Sequence, residues 1–251
     1  MIRFEKVTRR LGGRLVLDAV DFEIEKGETF VIVGSSGAGK SVTLKHMVRL
    51  LTPDAGRVWV GDDAVSEARG AELERIRSRF GVLFQGAALL QWLNVGDNVA
   101  LPLREHTDLG EEEIDRLVEE RLRLVNLEDV AAKFPADLSG GMRKRVGLAR
   151  AIVMKPEIIL YDEPTSGLDP VTSRTIDHLI DNLRRELGVT SVVVTHDLHS
   201  ALAIGTRIAM LHEGKIIEVS TPEEFIRSKQ EVVRGFLDAQ YITQRGTWET
   251  A

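Results

Sequence analysis

At the start of the chain apolar residues alternate with polar ones. Ile2, Phe4 and Val7, then Val20, Phe22 and Ile24, follow a period of about two and predict half-buried antiparallel strands. The pattern changes at "TFVIVG", where Phe30, Ile32 and Val33 sit in a continuous apolar run, as in a strand covered on both faces. "EIILYDE", "SVVVTHD" and "RIAMLHEG" have the same character, with helical stretches such as "VTSRTIDHLIDNLRREL" between them. Buried strands alternating with helices predict an α/β fold with a parallel sheet.

The middle of the chain departs from this. From about Gln85 to Met154 helical signals replace strand signals, and "EEEIDRLVEERLRLV" puts Ile114, Leu117, Val118, Leu122, Leu124 and Val125 on roughly one face. The expected organisation is an α/β core over residues 1–84 and 155–220, its early part an antiparallel β subdomain. A helical subdomain is inserted at 85–154, and a tail follows over 221–251. The tail opens with Thr221-Pro222-Glu223-Glu224, a cap and proline that start a helix. It continues with Val232, Val233, Phe236, Leu237, Tyr241 and Ile242, and ends in polar "TQRGTWETA".

Composition narrows the function classes. The 251 residues are 43% hydrophobic and 29% charged, an ordinary globular balance, and the net charge of −6 weighs against a general nucleic-acid binder. The absence of cysteine excludes disulfides and thiolate metal sites. No window approaches the roughly 18 apolar residues of a bilayer span, so work at a membrane requires a partner. The start, "MIRFEKVTRR", lacks an apolar signal core and reads as mature.

The chemistry is concentrated in a few segments. Gly34, Gly39, Lys40 and Ser41 fit G-x-x-x-x-G-K-[ST] directly after a buried strand and directly before a helix, the context of a phosphate-binding P-loop. The glycines let successive N–H groups turn toward phosphate oxygens, and the helix adds its positive end. Lys40 offers a mobile charge and Ser41 a hard oxygen for Mg²⁺. Such a loop alone implies a nucleoside triphosphate and leaves kinases, GTPases and motor ATPases open. "IILYDEP" ends an apolar strand in Asp162, suited to support Mg²⁺, and Glu163, suited to polarise a water; solvated strand-end acids are the bland alternative. In "LSGGMRKRVGLARAI", Ser139 caps a helix behind Gly140 and Gly141, giving a second helix tip fitted for phosphate. The run Arg143-Lys144-Arg145 is expected to be a solvated face rather than a nucleic-acid patch.

"GSSGAGKS", "LSGGM", "IILYDEP", "SGLDP" and "VVVTHD" occur in this order, and together they resemble the nucleotide-binding subunit of an ABC transporter. The resemblance covers about Ile2 to Thr221 and implies a P-loop NTPase fold, a RecA-like ABC ATPase core with an antiparallel β subdomain and an inserted α-helical subdomain. By position it implies that Gly34, Ser35, Ser36, Gly37, Ala38, Gly39, Lys40, Ser41 and Val42 cradle phosphate, with Thr43 near the α-phosphate. It further implies that Ser41 and Asp162 serve Mg²⁺, that Gln85 touches Mg²⁺ or the attacking water and faces the membrane partner, that Glu163 is the catalytic base, that His196 contacts the γ-phosphate, and that Asp169 links the two sites of a dimer. Without the resemblance, His196 reads as a strand-end histidine with a satisfied ring. Ser139, Gly140 and Gly141 would bind ATP held by a second copy, which implies a head-to-tail homodimer with ATP between the subunits.

Two positions depart from the family pattern. Met142 stands where the signature usually has Gln, and Leu11 where an aromatic stacks on adenine; Arg9, Arg10 and Arg14 nearby offer a guanidinium plane instead. "LFQGAALLQWLNVGDNVALPLREHT" and Met142 resemble, more narrowly, the ATPase of Mla-type (Mce-associated) phospholipid transport systems. That likeness implies a peripheral protein on the cytoplasmic face of the inner membrane. Its partners would be an integral-membrane permease dimer, an Mce-domain substrate-binding protein and a small accessory subunit, with no nucleic acid. Leu83, Phe84, Ala87, Ala88, Leu89, Leu90, Trp92 and Leu93 form an apolar belt that suits a partly exposed groove for a permease helix. The alternatives are an ABC motor for a polar solute or lipoprotein, and a soluble ABC protein acting on DNA or ribosomes. The last expects tandem halves, coiled coils, zinc cysteines or a basic surface, none of which the sequence has. A regulator without turnover would need a damaged catalytic set, yet Glu163 and His196 are present.

Overall fold

The computed structural model of the protein describes residues 1–243 and 246–247. In chain order the elements are β1 (Ile2–Leu11), β2 (Arg14–Ile24), β3 (Thr29–Val33), α1 (Lys40–Met47), β4 (Ala55–Val60), β5 (Asp63–Ala64), α2 (Gly70–Arg77), β6 (Phe80–Leu83), α3 (Val95–His106), α4 (Glu111–Leu124), α5 (Gly140–Ile152), β7 (Ile158–Asp162), α6 (Pro170–Leu187) and β8 (Thr190–Thr195). They continue with α7 (Leu198–Ile204), β9 (Arg207–His212), β10 (Lys215–Ser220), α8 (Pro222–Ile226), α9 (Glu231–Asp238), β11 (Ile242–Thr243) and β12 (Gly246–Thr247). Two compact units result, one of Met1–Ile76 with Val192–Ala251 and one of Arg77–Ser191.

In the first unit the alternating segments form an antiparallel sheet ordered β2-β1-β4-β5. Its register sets Ile2 opposite Ile24, Phe4 opposite Phe22 and Val7 opposite Val20, so the apolar period falls on one face. Phe4 stacks on Phe22 at 4.5 Å between centroids, and Phe22 on Phe30 of β3 at 5.4 Å. Offset ring pairs of this kind add about 1 kcal/mol beyond their buried area. All five residues of β3 are buried, and β3 pairs in parallel with β9, which pairs antiparallel with β10. The doubly covered strand expected from "TFVIVG" is therefore present. Thr221 caps α8 through a reciprocal pair with Glu224, as the sequence signal predicted. In the tail, Val233, Leu237 and Ile242 are buried while Tyr241 is exposed; of the polar end "TQRGTWETA", residues 244–245 and 248–251 lie outside the described residues.

In the second unit β6 pairs in parallel with β7, from Phe80 opposite Ile158 to Leu83 opposite Tyr161. Helices α3, α4 and α5 pack on one another, and α5 also packs on β6. On α4 the buried apolar positions are Ile114, Val118 and Leu122, one stripe at helical spacing, with Leu117 and Leu124 half-buried and Arg121 buried beside them. The loop ahead of α3 is organised by the buried Asn98. Its amide donates to the carbonyls of Leu90, Leu93 and Asn94 at 2.9–3.1 Å, and its oxygen accepts the Leu90 N–H at 2.8 Å. Among the described residues no helix is long and apolar enough to cross a membrane.

Candidate functional site

In the first unit the P-loop runs from the end of β3 into α1. Gly39 caps α1 at φ 110°, a left-handed conformation that side chains resist, and no side chain caps that helix. A Cβ on Gly34 would lie 2.3 Å from the Leu211 carbonyl oxygen, so the loop passes too close to β9 for any larger residue. Lys40 is buried, and its ammonium donates to the carbonyls of Gly34 at 2.8 Å and Ser35 at 3.2 Å, spanning the loop from inside. Ser35, Ser36 and Gly37 are exposed at the tip, Ala38 is buried, and Ser41 and Val42 are half-buried on the first helical turn. The Thr43 hydroxyl donates to the Gly39 carbonyl at 3.1 Å, which ties it into the helix backbone.

His196 lies just past β8 and is exposed. The turn it opens is held by Asp197, which caps α7 by accepting from the His199 and Ser200 N–H groups, and by Gln240 from the tail. The Gln240 amide donates to the His196 carbonyl at 2.8 Å, and its oxygen accepts the Leu198 N–H at 2.9 Å. At the positions where the resemblance expects the adenine contact, Leu11 is exposed. Arg9 is occupied, donating to the Thr52 carbonyl at 3.0 Å and to Asp54 at 2.7 Å, whereas the Arg10 and Arg14 side chains are exposed.

The second unit holds Gln85, Ser139, Gly140, Gly141, Asp162, Glu163 and Asp169. Asp162 is the last residue of β7, and Glu163 after it is 8% exposed with φ 49°. That left-handed conformation is costly for a residue with a Cβ and needs its surroundings to hold it. Gln85 follows β6 in an exposed loop. Ser139 caps α5 by accepting the Met142 N–H at 3.3 Å, as the sequence predicted. Asp169 caps α6 by accepting from the Val171 and Thr172 N–H groups at 3.0 Å and the Thr172 hydroxyl at 2.5 Å; these bonds, the hydroxyl's foremost, hold its carboxyl below the usual range.

One expectation needs correction. The run Arg143-Lys144-Arg145 is not a solvated face. Lys144 is 5% exposed and donates to the carbonyls of Gln85 and Glu163, while Arg143 donates to the Leu138 carbonyl and Arg145 to that of Asn126. Burial pushes the Lys144 ammonium below the usual lysine value, and the carboxylates of Asp162 and Glu163 oppose that shift. The cause is position: Gly141, Lys144, Leu148 and Ile152 share the buried stripe of α5, and the spacing could have flagged the lysine. The apolar belt is exposed in part, as expected. Leu83, Ala87 and Leu89 are core, Leu89 at 7% exposure, whereas Trp92 at 74% and Phe84 at 38% face outward. Sequence reasoning also missed Arg150, whose guanidinium donates to the carbonyls of Ala87 at 2.8 Å and Ala88 at 2.9 Å, and Gln240; a polar side chain reaching distant backbone leaves no local pattern.

The model of the ABC transporter family matches residues 17–166. The "Probable ribonucleotide transport ATP-binding protein mkl" of Mycobacterium leprae (strain TN) is 41% identical over 248 residues, 99% of this chain and 72% of that protein. The "Intermembrane phospholipid transport system ATP-binding protein MlaF" of Haemophilus influenzae is 36% identical over 240 residues, 96% of this chain and 91% of that protein. Among solved structures, the dimeric post-hydrolysis state of the ATP-binding cassette MJ0796 bound to ADP and Pi superposes with a TM-score of 0.81 at 35% identity, covering 88% of this chain and 99% of that one. The two-sheet cassette fold, the P-loop and the "LSGGM" helix tip thus belong together, and the chain is a member of the ABC transporter family, one of its ATP-hydrolysing subunits.

Proposed function

We propose that the chain energises phospholipid movement through a membrane permease of the Mla or Mce type. It works as a homodimer, peripheral on the cytoplasmic face of the inner membrane, with an Mce-domain protein and a small accessory subunit in the same system. The observation that carries this reading is the likeness to the Haemophilus influenzae phospholipid-transport protein along nearly the whole of both chains. Met142 and the Gln85-Gly86-Ala87-Ala88-Leu89 segment point the same way. A second reading, transport of a polar solute, draws on the mycobacterial relative described as a ribonucleotide transport protein. Co-purification with the permease and mass spectrometry of the bound cargo separates the two: phospholipid supports the first, a nucleotide-like solute without lipid overturns it.

The residue roles follow the chemistry of each group. Residues 34–43 hold the phosphates of ATP through backbone N–H groups and the Lys40 charge. The Ser41 hydroxyl, the Asp162 carboxylate and the Gln85 amide oxygen are hard-oxygen donors of the kind that would hold Mg²⁺, and the ion would supply charge neutralisation at the phosphates. Glu163 accepts a proton from the attacking water, and His196 donates to the γ-phosphate. Arg10 offers its exposed guanidinium to adenine in place of the missing aromatic. Ser139, Gly140 and Gly141 close on ATP held by the second copy, with Asp169 beside that junction. Glu163→Gln is expected to lower turnover about 10²–10⁴-fold while ATP still binds and draws two copies into a dimer. Native turnover in this variant, or a lone chain under Mg-ATP both with and without the permease, overturns the assignment.

A further inference from the structure

Lys144 does something that no motif assigns to it. It rises from the buried stripe of α5, the helix whose tip is Ser139-Gly140-Gly141, and reaches two backbone carbonyls on two other segments. One is the carbonyl of Gln85 in the loop after β6, the other that of Glu163 after β7, at 3.0 Å. We propose that Lys144 is a positioning residue: it fastens the Gln85 loop and the backbone of the Glu163 base to one helix, so that a displacement of the loop is felt at the base. The proposal rests on the assignment of Glu163 as the base.

Three features of the geometry support this. Glu163 sits at φ 49°, a backbone state that persists only where neighbours over-determine it, and the lysine N–H on its carbonyl is such a constraint. The loop is equally strained, with Ala87 at φ 60° and Ala88 at φ 48°; Arg150, on the same helix, holds the carbonyls of both. Of the two cations, only Lys144 is bonded to Glu163 as well as to the loop. Two carbonyls facing a buried ammonium also give a strong, charge-assisted junction, since an ammonium is costly to bury unless its protons are taken. Lys144 reaches backbone carbonyls and no side-chain carboxylate oxygen in these bonds. Its influence on the reaction therefore runs through where Glu163 stands, and the effect belongs in kcat rather than in ATP binding.

The test measures steady-state ATP turnover of the full chain in complex with its permease. Lys144→Met, close in volume and without donors, is expected to lower kcat between about tenfold and a hundredfold while KM for ATP stays within about twofold. Lys144→Arg, which keeps charge and donors, is expected to recover most of the loss. In the Glu163→Gln background Lys144→Met is expected to change the residual rate little, because a positioning residue has nothing left to position. Native kcat in Lys144→Met, a fall matched by an equal rise in KM, or a full additional loss on top of Glu163→Gln each overturns the proposal. Should Lys144→Met fail to give a cooperative melt, Lys144→Gln is read instead: one atom shorter, it reaches at most one carbonyl. A severalfold fall in kcat at native melting temperature then supports the proposal, and native kcat overturns it. Native turnover in Glu163→Gln alone removes the base assignment, whereas an inactive Glu163→Gln beside a fully active Lys144→Met removes only the role of Lys144.

Discussion

The two glycine-rich helix tips use similar residues in different ways. At α1 the cap is Gly39, no side chain closes the helix end, and the buried Lys40 is folded back onto the Gly34 and Ser35 carbonyls inside the loop. At α5 the cap is Ser139, whose own hydroxyl closes the end on the Met142 N–H at 3.3 Å. One tip is shaped by backbone around a cation. The other is closed by a bond near the long limit for a hydrogen bond, one that an incoming phosphate can replace at little cost. The difference teaches that two glycine-rich helix ends in a single chain need not be equivalent. In the roles proposed above, the α1 end holds a nucleotide and the α5 end exchanges its own cap for one. Of the changes at the two tips, removing the cation from the first then has the largest effect: Lys40→Ala is expected to reduce ATP turnover about 10²–10³-fold and to weaken nucleotide binding in a titration. Unchanged binding would make the two tips equivalent.

The next change strikes the second tip by sterics. A Cβ on Gly141 would lie 2.4 Å from the Thr172 Cγ2, and Thr172 in turn donates its hydroxyl to Asp169 at 2.5 Å. Gly141→Ala therefore moves the tip or displaces Thr172 from Asp169, and either disturbs the face proposed to meet the second copy. Turnover is expected to fall about a hundredfold, the scale of an ångström-sized misplacement, with ATP still bound by the monomer. Loss of nucleotide binding in this variant would blur the distinction between holding and closing. Ser139→Ala sharpens the same point. It removes the cap together with the hydroxyl proposed to meet ATP on the second copy, is expected to lower stability by about 1 kcal/mol in a denaturant melt, and should abolish ATP-driven dimerisation in a sizing experiment.

How much of this was legible beforehand depended on whether the signal was local. The P-loop, the Ser139 cap, the Thr221 cap and the buried runs of β3, β7, β8 and β9 are written in consecutive residues, because a strand period, a cap or a tight turn is decided within a few positions. A run of three cations suggests water and so places Lys144 on a solvated face. Only the stripe through Gly141, Leu148 and Ile152 contradicts that, and it requires placing the lysine on the helix before judging its charge. Leu89 and Trp92 looked alike as apolar residues of one belt, yet one is core and the other exposed, since their loop is folded by Asn98 through contacts that no period encodes. Gln240 was invisible for the same reason. Its partners lie at His196 and Leu198, far away in the sequence.

That distant contact gives a smaller test on the side of the first tip. Gln240→Ala removes both bonds that tie the tail to the His196 turn, leaving the Asp197 cap in place. Two half-exposed hydrogen bonds are worth about 1 kcal/mol together, so the melting temperature is expected to drop by only a few degrees. Turnover is expected to fall severalfold with little change in ATP affinity, because the His196 turn loses two of its bonds while the P-loop keeps its own. A Gln240→Ala protein with native kcat would confine the tail's role to packing through Val233 and Leu237.

The smallest effect distinguishes the two helices by pH. On α1 the buried His46 makes a 2.7 Å contact through Nδ1 with the Val42 carbonyl, one turn back in the same helix. A carbonyl only accepts, so Nδ1 carries the proton and the neutral ring already satisfies this bond. Burial holds the His46 pKa below the ordinary 6.5, with the Val42 bond opposing and the Arg9 charge lowering it further. The sign follows from linkage. Above 6.5 His46 is neutral in both states and contributes no pH dependence; as the pH falls below 6.5 the unfolded chain takes up a proton that the folded helix resists, and stability declines until the depressed folded pKa is reached. The native melting temperature is therefore expected to decrease from pH 7 toward pH 5, and His46→Gln to flatten that decrease while leaving KM for ATP at pH 7 unchanged. Parallel native and variant curves would take the titration away from α1. A shift confined to the variant's ATP affinity would instead place His46 in contact with the P-loop's function rather than its support.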